Sequence, residues 1–547
     1  MNKPKKTINK KQFTMKKRVL LLCALIAPLT WGVAAPAKQK VNNDANKPLK
    51  IVFENDVHGS VDRYEYIAGF RDALVEAGYP VLTVSAGDFL QGSAYAAMSK
   101  GKFCVDMMNT VGYDIVTVGN HDFDYGLPYL QSMRDSLKQT ALICSNVLDA
   151  EGNACFPAYT ITDVGGYKVA FIGVVTTATE QLEAYSVFDK QGNRQISFSK
   201  ENLVETVQKA VDKVRLGKPD WVILLAHMGI DPLGEHLASW ELLEQLEGVD
   251  LLIDGHSHSV INAEVQGKDP EKRVAVAQTG SALAYVGCVT LMRGVAPRVQ
   301  LYSSQNLAQS AKVHEAYLNV VALTQPLLGR VVGYTPVELT TLANGERAVR
   351  KQETNIGDLV ADAYRDQMHT DIGWVNGGGV RTNIMTGDIT YGNILSVSPF
   401  NNFMCAAEVS GQQLLDALEE AYNECPNELG AFAQISGVRC VVDTTIHNKL
   451  EWSAFNELTV VGDRRVSNVE VLKDGEWKSL DVNATYTIGS TDYVVYEGES
   501  RGLKAARILN DKMMTDTECL QNYIINTLEG TVPKTYAKTQ GRIRFAK

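Results

Sequence analysis

Five short blocks rich in aspartate, asparagine and histidine each close an apolar, β-branched run in the first half of the chain. Asp56 and His58 follow Lys50–Asn55 in NDVHG, and Asp88 follows Val81–Ser85 in AGD. Asn120 and His121 follow Ile115–Val118 in GNHDFD, His227 follows Trp221–Ala226 in LLAHMG, and His256 and His258 follow Leu251–Asp254 in DGHSH. With Lys168–Val174 and Arg273–Gln278, these runs alternate with amphipathic stretches from Leu49 to about Met292, which predicts an α/β fold whose strands are buried on both faces. Ligands of such sheets bind beyond the carboxyl ends of the strands, so blocks far apart in sequence converge in space.

A single histidine after a strand is ordinarily a hydrogen-bonded loop residue. Five such blocks together call for a shared purpose. Carboxylate, amide oxygen and imidazole without thiolate form a donor set suited to two divalent ions such as Zn²⁺ or Mn²⁺. A paired cation site activates water, polarises a phosphoryl oxygen and offsets the charge that develops in in-line displacement. A carboxylate is the group that can hold two dications close together.

The series DxH, GD, GNHD, H and GHSH resembles the metallophosphoesterase superfamily. The whole chain from about residue 50 is similar to the bacterial periplasmic 5′-nucleotidase/UDP-sugar hydrolase family, which has a separate C-terminal nucleotidase domain. The resemblance implies a four-layer β-sandwich flanked by helices and joined by a helix to a second α/β domain. It also implies that Asp56, His58 and His258 hold one ion, that Asn120, His227 and His256 hold the other, and that Asp88 bridges them. His121 then stabilises the phosphoryl transition state or protonates the leaving oxygen, and Asp124, three residues on, orients its ring and favours its charged form.

Residues 305–325 read as a helix, with Val313, Tyr317, Val320 and Val321 along one face and Pro326 closing the run. The expected division is therefore a metallophosphoesterase domain at 49–304, a linker helix at 305–327 and a recognition domain at 328–547. In the last of these, helices are expected around Ile356–Met368 and Gly411–Glu424, with strands after Val438. Gly377, Gly378 and Gly379 in VNGGGVRT permit close backbone approach to a ligand, and Arg381 offers a forked donor for phosphate. By resemblance, Asn376 and Arg381 contact phosphate, while Phe400 and Asn402 in SPFNN supply a base-stacking ring and its polar neighbour. The segment DYVVYEGESRG departs from the family: Tyr493, with Tyr496 as competitor, stands for the second aromatic, and Glu499 falls where a ribose-binding aspartate is usual. Asn355 sits where some members have a further phosphate-binding arginine.

Eight basic residues and no acidic one fall within residues 1–35, so the net charge of −10 becomes −18 for a chain cut there. That balance argues against a nucleic-acid partner and leaves an anionic substrate dependent on local cations. Lys16, Lys17 and Arg18, the apolar run Val19–Trp31 and the small residues Gly32, Ala34 and Ala35 form a secretory signal, with 36–48 as linker. The run is too short for a membrane span, which needs about 20 residues, and Leu22 before Cys23 argues against a lipidated cysteine. Export to the periplasm or medium follows. The eight remaining cysteines form no CxxC pair; Cys144 and Cys155 could bridge a loop or remain buried thiols.

The expectation is thus an exported dinuclear phosphohydrolase, most directly one acting on nucleoside 5′-monophosphates. UDP-sugar hydrolysis and 2′,3′-cyclic phosphodiesterase/3′-nucleotidase activity share its chemistry, as does a sulfur-oxidising thiosulfohydrolase its two-domain build. A nucleotide-binding protein with decayed catalysis is the alternative of another class. The intact metal blocks argue against decay.

Overall fold

A computed structural model describes residues 47–188, 193–230, 236–453, 458–497, 500–504 and 506–546; the leader at 1–35 and Glu499 lie outside the described residues. The first domain holds two six-stranded sheets. In one, the order is Val295–Ser303, Tyr285–Met292, Leu49–Glu54, Val81–Ser85, Ile115–Val116, Ala141–Leu142. In the other it is Val260–Gln266, Arg273–Thr279, Leu251–Ile253, Trp221–His227, Tyr167–Val175, Tyr159–Val164. Leu49–Glu54 pairs parallel with Val81–Ser85 and antiparallel with Tyr285–Met292. Trp221–His227 runs parallel to both of its neighbours.

Alternate side chains of the two sheets meet in one buried layer. Ile51, Phe53, Leu82 and Val84 face Val169, Phe171, Ile223, Leu225 and Ile253. The opposite faces are covered too. Val52 and Val116 pack with Ile67, Met107 and Met108 from helices on one side, and Ile172, Val174 and Leu224 pack with Val207, Val211 and Val214 of the helix Leu203–Arg215 on the other. Helix, sheet, sheet and helix make four layers, and double-sided burial is why the central strands read as unbroken apolar runs.

That same logic explains what the sequence pattern misses. The flanking strands Tyr159–Val164, Val260–Gln266 and Val295–Ser303 are partly exposed along much of their length, so no continuous apolar run announces them. The sheets are mixed: antiparallel strands lie at both edges of the second sheet and at one edge of the first, whose other edge strand, Ala141–Leu142, is parallel to its neighbour.

The expected helix at 305–325 is instead Ala311–Leu328, and Pro326 lies inside it rather than closing it. Proline removes one N–H from the last turn, a tolerable loss because the turn is held from beyond: Gly329 N–H donates to Gln325 O at 2.8 Å, and Leu328 is buried with Ala94, Ala97 and Leu395. In the second domain, Asn355–Gln367 is capped by Thr354, whose Oγ1 accepts from Gly357 N–H at 3.2 Å, and packs against the five-stranded sheet Ala433–Ser436, Ile372–Asn376, Thr485–Thr491, Met404–Ser410, Arg507–Asn510. The helix expected to reach Glu424 spans Gly411–Ala421. All eight described cysteines are free, Cys144 and Cys155 included. Among the described residues, no helix is long and apolar enough to cross a membrane.

Candidate active site

Strands from both sheets end at one edge, and the five blocks meet there. Asp56, Asp88 and Asn120 come from the first sheet, His227, His256 and His258 from the second. The turns that carry them are tight. Asp56, His58, Asp88, His256 and His258 all have positive φ, between 48° and 77°, a conformation that costs non-glycine residues of order 1–3 kcal/mol each and concentrates at functional sites. Two glycines are forced by close approach: a Cβ on Gly119 would lie 2.1 Å from Asp88 Oδ1, and one on Gly255 would lie 2.8 Å from His227 Nδ1.

Backbone donors fix the loops. Asp122, which sequence reasoning passed over, accepts from Asp88, Phe89, Leu90 and Gly119 N–H groups at 2.8–3.0 Å and so welds the AGD turn to the GNHD turn. Asn55 Nδ2–H donates to Asp56 Oδ2 at 2.6 Å, and His256 N–H donates to the same oxygen at 2.9 Å.

The side chains converge as ligands would. His58 Nε2 and His258 Nε2 are 2.8 Å apart, and they lie 3.7 and 3.4 Å from Asp56 Oδ1. His227 Nε2 is fully buried, makes no hydrogen bond and lies 3.2 Å from Asp88 Oδ2. His256 Nδ1 is 2.8 Å from Asn120 Oδ1. The donors of Asp56, His58 and His258 form one compact group, and those of Asp56, Asp88 and His227 another. Nitrogen lone pairs and carboxylate oxygens packed this closely, away from water, are costly unless cations lie among them, so the donor set fits a pair of divalent ions. Burial drops His58 and His258 well below the ordinary imidazole range and His256 to about 3, which leaves these rings in the neutral form that ligates metal. At His227, burial opposes protonation, but the Asp88 and Asp56 carboxylates outweigh it and raise the ring to about 10.

His121 stands beside this group. Its N–H donates to Asp88 Oδ1 at 2.9 Å, and its Nδ1 lies 3.2 Å from Asp124 Oδ1 and 3.4 Å from Glu183 Oε1. Burial opposes the charged ring, yet the Asp124 carboxylate prevails and raises it above the usual range. Glu183 is a second residue that the sequence reading did not single out.

The second domain brings three arginines to the same place. Arg347, Arg350 and Arg381 line a cavity of about 480 Å³ with His58 and His258. Arg347 bonds to Glu428 and has its Nη1 3.1 Å from His258 Nδ1. Arg381 donates to Gly378 O at 3.2 Å, and burial lowers its pKa only to about 10, so it keeps its charge at neutral pH. Arg347 and Arg350 were invisible in sequence, since an arginine in GERAVRKQ looks like any surface cation.

The other expected recognition residues are spread around this centre. Phe400 stacks on His121, with centroids 5.1 Å apart, and lies 5.5 Å from the Arg381 guanidinium. Asn376 ends its strand and is buried at the Gly377–Gly379 turn, where Gly378 N–H donates to Gly430 O. Asn402 accepts from Asp516 N–H through its carbonyl, and Tyr493 packs on the second-domain core. None of these four lines the cavity. Asn355 spends its amide on Glu338 O, Tyr536 O and Thr340 N–H, which makes it a loop brace.

Sandwich, converging donor groups and arginine-lined cavity are the parts that a metal-dependent phosphoester hydrolase needs. Residues 49–260 match the calcineurin-like phosphoesterase family, and residues 331–505 match the 5′-nucleotidase C-terminal domain. The chain belongs to the metallophosphoesterases that carry this C-terminal domain, a family that uses two divalent ions. It is 26% identical to a 5′-nucleotidase of Vibrio cholerae over 92% of this chain and 95% of that protein. It is 25% identical to the endonuclease YhcR of Bacillus subtilis over 93% of this chain but only 42% of that protein. Among solved structures, a 5′-nucleotidase precursor from Thermus thermophilus superposes with a TM-score of 0.77 at 25% identity, covering 91% of this chain and 99% of that one. The chain thus spans under half of the Bacillus relative and nearly all of the other two.

Proposed function

We propose that this protein is an exported hydrolase that converts nucleoside 5′-monophosphates to nucleoside and phosphate. The observation that carries the reading is the meeting of buried metal donors with Arg347, Arg350 and Arg381 around one cavity. Asp56, His58 and His258 would hold one ion, Asn120, His227 and His256 the other, with Asp88 between them. When bound, the ions supply Lewis-acid polarisation of the phosphoryl group and an activated water. The chain does the rest. The arginines bind the phosphate and keep it charged-paired in a buried setting. His121, held by Asp124, donates its proton to the leaving ribose oxygen. Phe400, beside His121, offers its ring to the base, while Asn402, Asn376, Gly378 and Tyr493 brace the turns and core behind it. The basic leader supports export, and the relatives' names support a nucleotide substrate.

Hydrolysis of AMP, UDP-glucose, 2′,3′-cyclic AMP and a simple aryl phosphate, each followed by its own products rather than by phosphate alone, tests this reading. The expected ranking places the 5′-monophosphate first in kcat/KM. A preference for the sugar nucleotide or the cyclic ester would reassign the substrate, and no hydrolysis of any ester by metal-loaded protein would contradict the enzyme itself.

A further inference from the structure

We propose that Glu183 is a positioning residue that turns the Asn120 amide so that its oxygen, not its nitrogen, faces the ion site. The proposal rests on the reading of Asn120 as a metal ligand. Glu183 follows the short helix Thr179–Leu182, its own N–H donates to Thr179 O at 2.9 Å, and it is 8% exposed. That helix is tied to the metal edge, because Thr176 N–H donates to the carbonyl of His227 at 2.8 Å and Thr179 Oγ1–H donates to Thr176 O at 2.7 Å.

From this anchored position Glu183 Oε1 accepts from Asn120 Nδ2–H at 3.1 Å. An asparagine amide is nearly symmetric in shape but opposite in chemistry at its two ends, and only the oxygen can ligate a cation. A carboxylate accepts and never donates, so it selects the NH₂ end and leaves Oδ1 on the far side. There Oδ1 sits 2.8 Å from His256 Nδ1, among the donors assigned to the second ion. An amide turned the other way would aim two N–H groups at a dication. The same Oε1 lies 3.4 Å from His121 Nδ1, so one carboxylate backs both the ligand and its catalytic neighbour. Asp124 alone could orient His121; among the described residues, only Glu183 holds Nδ2 of Asn120.

The test is metal retention in full-length protein, read by competing a graded chelator against bound Mn²⁺, with the melting temperature of each variant as control. Glu183→Ala should weaken one of the two ions by about 10- to 100-fold, the scale typical of outer partners of metal ligands, while the other ion and the melting temperature stay near the parent values. Glu183→Gln keeps an acceptor oxygen for Nδ2 but adds a donor that can hold the amide the other way round, so its retention should fall between that of the parent and that of Glu183→Ala. Parent-like retention of both ions in Glu183→Ala would overturn the proposal. So would parallel loss of both ions with a lowered melting temperature, which would mark a fold prop, or a third ion lost on substitution, which would make Glu183 itself a ligand. A parent protein that holds fewer than two ions would instead remove the reading of the site on which the proposal rests.

Discussion

The ring of Phe400 stacks on the imidazole of His121, centroids 5.1 Å apart and planes 28° from parallel, so a residue of the second domain touches the proposed proton donor of the first. If a nucleobase uses this ring, Phe400→Ala should raise KM for a nucleoside monophosphate by about 5- to 150-fold, the equivalent of 1–3 kcal/mol of base stacking. A small aryl phosphate has little to stack and should lose much less. Equal losses in kcat on both substrates would show that Phe400 only props His121.

His121→Ala should lower kcat by roughly 10²–10⁴ and leave metal content near that of the parent, because the ring borders the donor groups without being needed to hold an ion. Asp88→Ala should lose metal, since its carboxylate lies 3.6 Å from His58 Nε2 and 3.2 Å from His227 Nε2. Kinetics paired with elemental analysis of both variants separates catalyst from ligand.

Arg381→Ala should raise KM for the nucleotide and the aryl phosphate alike, because a guanidinium at the phosphate acts on the part the two substrates share. A nucleotide-specific effect would move Arg381 from the phosphate to the nucleoside.

Stability should depend on pH through Asp516, which sits fully buried beneath the Asn402 loop. Burial pushes its carboxyl up to about 8, against the pull of the Thr517 N–H. A folded-state pKa above the unfolded one means that the folded protein binds the proton more tightly, so this contribution is complete below the ordinary carboxylate range and is lost as pH rises toward about 8. Asp516→Asn should therefore flatten the fall in melting temperature between mildly acidic and mildly alkaline pH. An unchanged slope would show that the carboxyl is ionised in the fold.

The first domain was legible because its central strands are buried on both faces and its donors follow those strands directly. Val81–Ser85 was delimited to the residue, and Trp221–Ala226 falls one residue short of the strand that ends at His227. Edge strands such as Val260–Gln266 escaped because solvent on one side breaks the apolar run. In the site, donors in short blocks such as DGHSH were legible, whereas Asp122, Glu183, Arg347 and Arg350 act through contacts that only folding creates. Asp122 was masked by its neighbour His121, and Glu183 by a helix with no motif. The recognition pocket was least legible, since aromatic and glycine-turn signals such as SPFNN serve packing as readily as binding.

The central claim is that ester hydrolysis depends on two divalent ions held by these residues. Phosphate release from a nucleoside 5′-monophosphate should be measured on chelator-stripped protein and again after stepwise return of Mn²⁺, Co²⁺ or Zn²⁺, with bound metal counted at each step. The account predicts that turnover vanishes on stripping and returns in full only as occupancy reaches two ions per chain. Full turnover in protein shown to hold no metal would contradict it.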